Sequence, residues 1–169
     1  IKTADPKENV AEIVEFFKEF DVKAIGVGAF GPIDVDINSE TYGYVLSTPK
    51  RLWRNFDLVG SLKAELDLPI GLTTDVGASG IGEYELGAAL DKTSSLYLTI
   101  GTGIGGSFIQ DGKLLEGYSH PEMGHLEIPK EEGDDFTGVC DYHKNCFEGL
   151  CSGPAIEARA GEKGENLDI

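Results

Sequence analysis

The sequence is organised around three neighbouring motifs, Ser119-His-Pro-Glu-Met-Gly-His125, Cys140-Asp-Tyr-His-Lys-Asn-Cys146-Phe-Glu-Gly149 and Ser152-Gly-Pro154. They contain two of the three cysteines and two histidines at the spacing of metal ligands. The four candidate ligands are His125, Cys140, His143 and Cys146. Thiolate sulfur and imidazole nitrogen are the donors of a closed tetrahedral zinc site. The spacing predicts structural zinc, although two cysteines in a reducing cell could also be free or redox active.

Two carboxylates, Glu122 and Glu148, lie within the same motifs. A metal that joins His125 to the loop at residues 140–146 would hold both carboxylates close to each other. Without that context, both side chains are ordinary solvated groups of an acidic chain.

The order His-Pro-Glu-Met-Gly-His, then Cys-x-x-His-x-x-Cys-x-Glu-Gly-x-x-Ser-Gly-Pro-Ala-Ile-Glu, resembles the ROK family of sugar kinases, and its fructokinase branch in particular. Most other family members carry a zinc loop of the C-x-C type, so the histidine inside the triplet favours the fructokinase branch. The resemblance covers nearly all of the chain. It implies an α/β fold of the actin-like, ribonuclease H-like kind, in which two lobes close on ATP and a hexose.

The resemblance also implies a division of the chain into two parts. Residues 1–90 would form the remainder of the N-terminal lobe, with the sugar cleft and the catalytic aspartate. Residues 91–169 would form the start of the C-terminal lobe, with a phosphate loop and the zinc-bound loop of the sugar site. Family members begin with an Asp-x-Gly-Gly-Thr motif upstream of this sequence and continue well past it. The fold is therefore expected to be incomplete at both ends.

Composition indicates a globular chain, with 40% hydrophobic and 26% charged residues. The formal net charge of −16 argues against nucleic acid as a partner of this segment. A nucleotide would need Mg²⁺ and local backbone amides to offset this charge. No apolar run approaches the roughly 18 residues of a membrane span, and the first residues lack a signal-peptide core. A cytoplasmic protein without membrane contact is expected.

The first half alternates between helix and strand signals, which is typical of α/β folds. Asp5 and Pro6 predict a helix that ends near Lys18. Strands are predicted at residues 22–27 and 68–74, a hairpin at 33–48 and a second helix at 57–66. A Gly-x-Gly-x-x-Gly-Pro sequence at residues 26–32 follows the first strand, and in the family this segment lines the sugar cleft.

Asp75 follows the strand at residues 68–74 and opens a helix predicted for 76–90. It could be the N-cap of that helix, or a general base at the crevice above the strand ends. The sequence Thr73-Thr-Asp75 resembles the catalytic motif of the family, which implies Asp75 as the catalytic base and Thr74 as a sugar-binding residue. The family usually places asparagine two residues later, where this chain has Gly77. The hydrogen bond of that amide is therefore absent.

A glycine-rich run separates the strands predicted at residues 95–100 and 107–110, with Asp111-Gly112 as a hairpin turn. Glycines let backbone N–H groups point at phosphate oxygens, but a tight hairpin crossover explains them as well. The run lacks the Gly-Lys-Ser or Gly-Lys-Thr of a Walker A loop and resembles the second phosphate loop of actin-like kinases. The candidate phosphate-binding residues are Gly101, Thr102, Gly103, Gly105 and Gly106.

The function implied by the resemblance is transfer of the γ-phosphoryl group of Mg²⁺-ATP to a hexose, with fructose to fructose 6-phosphate favoured. Asp75 would accept the hydroxyl proton, and Glu122, His125 and Glu148 would bind ring hydroxyls. The implied cofactors are structural Zn²⁺ and Mg²⁺ with ATP, and a homodimer is expected. The alternatives are a glucose or N-acetylhexosamine kinase of the same family, a sugar-binding ROK transcriptional regulator with an upstream DNA-binding domain, and a zinc module that binds no sugar.

Overall fold

The structure, a computed structural model, describes residues 2–116 and 121–167. These residues form two compact units. The first comprises the residues up to Ser79 together with Glu116, and the second comprises Gly80–Leu115 and the residues from Pro121 onward. His120 and Ser119 of the first motif lie outside the described residues.

The first unit contains two helices whose N-termini are capped by aspartate side chains. Helix α1 is Pro6–Lys18, and the carboxylate of Asp5 accepts the N–H of Lys7, as the sequence predicts. Helix α2 is Leu58–Glu65, and its N-cap, Asp57, accepts the N–H of Gly60 at 2.7 Å. Both helices turn branched apolar side chains inward, where they meet the strands.

The first unit contains two pairs of strands. Strand β1 (Ile25–Ala29) runs parallel to β4 (Ile70–Thr74), and β2 (Tyr44–Val45) runs antiparallel to β3 (Phe56–Asp57). Strand β1 begins three residues later than predicted because its ladder with β4 starts at Ile25. The core residues shared by these elements are Val10, Val14, Ile25, Ala29, Ile33, Val45, Trp53, Leu58, Leu62 and Leu66.

The predicted hairpin at residues 33–48 forms only near its ends, through the bridge of Ile33 with Val45 and the backbone hydrogen bonds of Asp34 with Tyr44 and Gly43. The reason is the carboxylate of Asp34, which accepts hydrogen bonds from the hydroxyls of Ser39 and Thr41, both at 2.6 Å. These bonds fold the intervening chain into turns, so it cannot extend as a strand.

Helix α3 is Asp75–Leu86, and the boundary between the two units falls within it, after Ser79. It ends four residues before the prediction. The carboxylate of Glu83 accepts the N–H of Ala88 at 2.8 Å, which terminates the last turn. Asp91 then has a positive φ of 62°, so the chain reverses before the next strand.

The second unit is built on an antiparallel meander of β5 (Ser94–Ile100), β6 (Ile104–Gln110) and β7 (Lys113–Leu114). The Asp111-Gly112 turn has φ values of 49° and 74°, which suits the tight hairpin predicted there. Strand β6 begins three residues earlier than predicted, so the glycine run contributes only residues 101–103 to the turn.

Short helices complete the second unit. Helix α4 is Phe147–Cys151 and helix α5 is Gly153–Ala160. Three-residue 3-10 helices are found at Arg51–Trp53, Met123–His125 and Gly164–Asn166. Among residues 2–116 and 121–167, no helix has the length and apolar character needed to cross a bilayer.

Candidate functional site

Four candidate metal ligands converge in the second unit. The donor atoms of His125, Cys140, His143 and Cys146 all lie within 4.8 Å of one another. Nδ1 of His125 is 3.8 Å from Sγ of Cys140 and 3.6 Å from Sγ of Cys146. Tetrahedral zinc, with bonds of about 2.3 Å to sulfur and 2.0–2.1 Å to nitrogen, would separate such atoms by about 3.6 Å. The donor set and its spacing fit a tetrahedral ion.

Local backbone structure places both sulfur atoms in this cluster of donor atoms. Cys146 is the N-cap of α4, and its Sγ accepts the N–H of Gly149 at 3.4 Å. Sγ of Cys140 accepts the N–H of His143 at 3.5 Å. N–H groups directed at sulfur favour the thiolate, which is the form that binds a metal. Both cysteines are buried and neither forms a disulfide.

Different surroundings shift the pKa values of the two thiols. The backbone N–H of His143 lowers the pKa of Cys140 below its ordinary value. Burial raises the pKa of Cys146.

Two glycines allow the loop between the cysteines to close. Gly138 has a φ of 83°, and a Cβ at this position would collide with the carbonyl oxygen of Lys144. A Cβ at Gly149 would collide with the same oxygen. Larger residues at either position would push the loop apart, and the ligands with it.

Glu148 reaches from α4 to the glycine-rich turn. Its Oε2 accepts the N–H of Ile104 at 2.9 Å, and the side chain is half-buried. The N–H of Gly153, the first residue of α5, donates to the carbonyl of Gly101 at 2.8 Å. The turn at residues 101–103 is thus held at both ends by the segment that follows Cys146.

The predicted phosphate-binding residues fall into two groups. Gly101 and Thr102 are exposed in the turn, with Gly103 beside them half-buried. Gly105 and Gly106 instead lie within β6, paired with Thr99 and Leu98. A Cβ at Gly106 would lie 2.6 Å from Sδ of Met123, so close packing explains that glycine.

The predicted catalytic residue lies in the first unit, at the carboxyl end of β4. Asp75 is exposed, and its Oδ1 accepts the N–H of Val76 at 2.9 Å. The capping role belongs to its neighbour, because the buried hydroxyl of Thr74 accepts the N–H of Gly77 at 3.0 Å. The predicted sugar-binding hydroxyl of Thr74 is therefore engaged in capping α3.

The remaining predicted sugar-binding residues belong to the second unit. Glu122 is exposed and directly precedes the 3-10 helix Met123–His125, and its carbonyl accepts the N–H of His125 at 3.1 Å. Because Nδ1 of His125 faces the two sulfur atoms, Nε2 is the ring nitrogen left for a ligand.

The sequence profile of the ROK family matches residues 3–169. The chain belongs to the ROK family. It is 48% identical over 166 residues to the fructokinase of Lactococcus lactis subsp. cremoris, covering 98% of this chain and 56% of that protein. It is 44% identical over 171 residues to the fructokinase of Streptococcus mutans serotype c, covering 98% of this chain and 58% of that protein. The chain spans a little over half the length of these curated relatives.

Among solved structures, the chain is similar to the ROK hexokinase from Thermus thermophilus, with a TM-score of 0.69 and 31% identity. The match covers 91% of this chain and 50% of that protein. The predicted fold class is confirmed: the chain has the actin-like α/β fold of ROK sugar kinases, of which it spans about half.

The ROK motifs do not predict how the site is held together. The contact between Glu148 and Ile104 joins residues 44 positions apart, and no local pattern encodes it. Arg159 of α5 donates to both carboxylate oxygens of Asp134, at 3.1 and 2.8 Å, a contact that joins residues 25 positions apart. The one available signal was Arg159 itself, a cation near the end of a short helix in an acidic chain.

Proposed function

We propose that the protein containing this chain transfers the γ-phosphoryl group of ATP to a hexose, with fructose as the favoured acceptor. The observation that carries the proposal is 44–48% identity to two fructokinases over 98% of the chain. The Cys-x-x-His-x-x-Cys triplet is consistent with the same branch of the family.

Asp75 is proposed to accept the proton of the attacking sugar hydroxyl. General bases of this kind must be within hydrogen-bond reach of the hydroxyl and unprotonated at the working pH. The carboxylate of Asp75 is exposed at the end of a parallel strand, and the cap of α3 is supplied by Thr74. Asp75 is thus available to a substrate without loss of the helix start.

Glu122, His125 and Glu148 are proposed to hold the sugar. Carboxylates accept hydrogen bonds from ring hydroxyls, and a histidine whose Nδ1 is bound to a metal retains an N–H at Nε2 that can donate to a sugar oxygen. A zinc ion would serve this site structurally, held by His125, Cys140, His143 and Cys146.

The turn at residues 101–103 is proposed to hold phosphate oxygens. The exposed backbone and hydroxyl of Thr102 suit an anion, whereas the N–H of Gly101 donates to the carbonyl of Gly103 at 2.9 Å and shapes the turn. Gly105 and Gly106 contribute less, because both belong to the β6 ladder. Mg²⁺-ATP, when bound, supplies the phosphoryl group and neutralises its charge, which is the main requirement of such reactions.

The proposal also covers the division into lobes, the location and oligomeric state of the intact protein, and a second candidate function. The two lobes would divide near residue 90, the intact protein would be a cytoplasmic homodimer, and a glucose or N-acetylhexosamine kinase is the second candidate. Similarity to the Thermus thermophilus ROK hexokinase, at 31% identity, supports this second candidate.

The test is a phosphorylation assay of the protein with Mg²⁺-ATP and a panel of fructose, glucose, mannose and N-acetylated hexosamines. We expect the highest kcat/KM with fructose and product at the 6-hydroxyl. Preference for glucose would move the assignment to the second candidate. Binding of sugar without turnover of any hexose would contradict the kinase assignment.

A further inference from the structure

The turn at residues 101–103 is hydrogen-bonded to α4 and α5. Oε2 of Glu148 accepts the N–H of Ile104 at 2.9 Å, and the N–H of Gly153 donates to the carbonyl of Gly101 at 2.8 Å. Glu148 lies in the first turn of α4, and Gly153 opens α5. The position of the turn therefore depends on where α4 begins.

Helix α4 begins at a candidate metal ligand. Sγ of Cys146 caps the helix through the N–H of Gly149 and lies 3.6 Å from Nδ1 of His125. A helix of five residues, Phe147–Cys151, has too few internal hydrogen bonds to be stable alone. Its start is held by backbone hydrogen bonds, such as that from the N–H of Phe147 to the carbonyl of Leu126 at 2.8 Å, and by the fixing of Cys146, for which the four clustered donors fit a metal.

We propose that Glu148 is a positioning residue that links the metal site to the turn at residues 101–103, so that metal occupancy sets how tightly this turn binds the phosphates of a nucleotide. The effect on nucleotide binding rests on the proposed function, whereas the hydrogen bond between Glu148 and Ile104 does not. A carboxylate has two oxygens, so Oε1 remains able to accept a sugar hydroxyl while Oε2 holds the turn.

Gly103 provides the space that this link needs. A Cβ at position 103 would lie 2.7 Å from Oε2 of Glu148, which would force the carboxylate away from Ile104. A Cβ at Gly101 would meet no atom within 4 Å. Neither glycine has a φ in the left-handed region. Gly103→Ala and Gly101→Ala are therefore a matched pair, and only the first should disturb the contact.

Amide hydrogen exchange of Ile104, measured by NMR on the zinc-loaded protein, tests the link directly. Loss of a hydrogen bond to a charged acceptor should accelerate exchange by about tenfold or more in Glu148→Ala and Gly103→Ala. Gly101→Ala should exchange like the parent protein, and Glu148→Gln, which keeps an acceptor, should lie between. Chelation of zinc should accelerate exchange of Ile104 in the parent but add little in Glu148→Ala. The reason is that chelation and the substitution both act through the hydrogen bond between Glu148 and Ile104.

Calorimetry of Mg²⁺-ATP binding in the absence of sugar tests whether the link affects nucleotide affinity. The Kd should rise about tenfold in Glu148→Ala and on chelation, without a further rise when the two are combined. Unchanged exchange at Ile104 in both Glu148→Ala and Gly103→Ala would overturn the proposal. The proposal would also be overturned if amide exchange in these variants accelerated equally along β6 as far as Gln110. Such a result would mean that the variants are destabilised in general. If exchange responds as expected but Mg²⁺-ATP binds to no form, the link stands and the proposed function fails.

Discussion

The hydroxyl of Thr74 accepts the N–H of Gly77 at 3.0 Å, and this bond makes Thr74 the residue that caps α3. Asp75, one residue later, is left exposed at the end of β4. Structural stability and proposed chemistry are therefore divided between neighbouring residues. Substitutions at the two positions should have different effects.

Asp75→Asn should reduce phosphoryl transfer by at least about 10²-fold, because an amide cannot accept the hydroxyl proton. Sugar binding and the free energy of unfolding should remain close to those of the parent, since the exposed carboxylate does not cap α3. The measurements are kcat with fructose, equilibrium sugar binding and urea unfolding. Turnover equal to that of the parent would remove Asp75 from the mechanism.

Thr74→Val should lower the free energy of unfolding by about 1 kcal/mol, because valine has no oxygen to accept the N–H of Gly77. Thr74→Ser keeps the hydroxyl and is the matched control, with a smaller loss. Urea unfolding of the three proteins at one pH provides the comparison. Equal stability of the valine and serine variants would show that the hydroxyl contributes nothing to the cap.

Removing zinc should expose residues 121–154 to proteolysis, because structural metal binding is coupled to local folding. Cys146→Ser should have the same effect and should abolish binding of one metal ion per chain. Cys151→Ser is the matched control, since Cys151 lies outside the four-residue cluster. Proteolysis followed by mass spectrometry, together with metal analysis, gives both results. A Cys146→Ser protein that retains metal and protease resistance would refute the site.

Stability should depend on pH through Asp34. Burial raises the pKa of Asp34, but hydrogen bonds from Ser39, Thr41 and the backbone of Asp36 outweigh it and leave the pKa below its ordinary value. A lowered folded-state pKa contributes stability that is present above the unfolded-state pKa of about 3.9 and is lost as pH falls through the folded-state value. Asp34→Asn should therefore be less stable than the parent at pH 6, with the difference shrinking toward pH 2.

Urea unfolding at several pH values measures this difference. Ser39→Ala removes one of the two hydroxyl donors to Asp34. The difference in stability between the parent and Ser39→Ala should therefore also shrink toward pH 2, but from a smaller value at pH 6. A difference between the parent and Asp34→Asn that stays constant from pH 6 to pH 2 would contradict the assignment.

Local signals predicted much of the secondary structure. Asp5 with Pro6, and Asp57, predicted the starts of α1 and α2 because capping is encoded by neighbouring residues. The strand predicted at residues 95–100 is found as β5. The start of β6 was missed because Ile104 and two glycines read as loop, although their backbone groups pair with β5.

The candidate site was predictable only in part. The structure brings together the four donors whose spacing suggested a metal site, although their assignment as ligands remains a prediction. The capping role of Thr74 was hidden because aspartate and threonine are both good N-caps and stand next to each other. Contacts such as that of Glu148 with Ile104 depend on how distant segments pack, which spacing along the chain does not encode.

The crowding at Gly138 and Gly149 has a consequence for tolerance of mutation. Neither residue offers a side chain to a metal or a substrate, yet any Cβ there would strike the carbonyl of Lys144. Gly133 also has a positive φ but faces open space, so it should accept asparagine. In a saturation mutagenesis screen, positions 138 and 149 should appear as intolerant as the cysteines themselves.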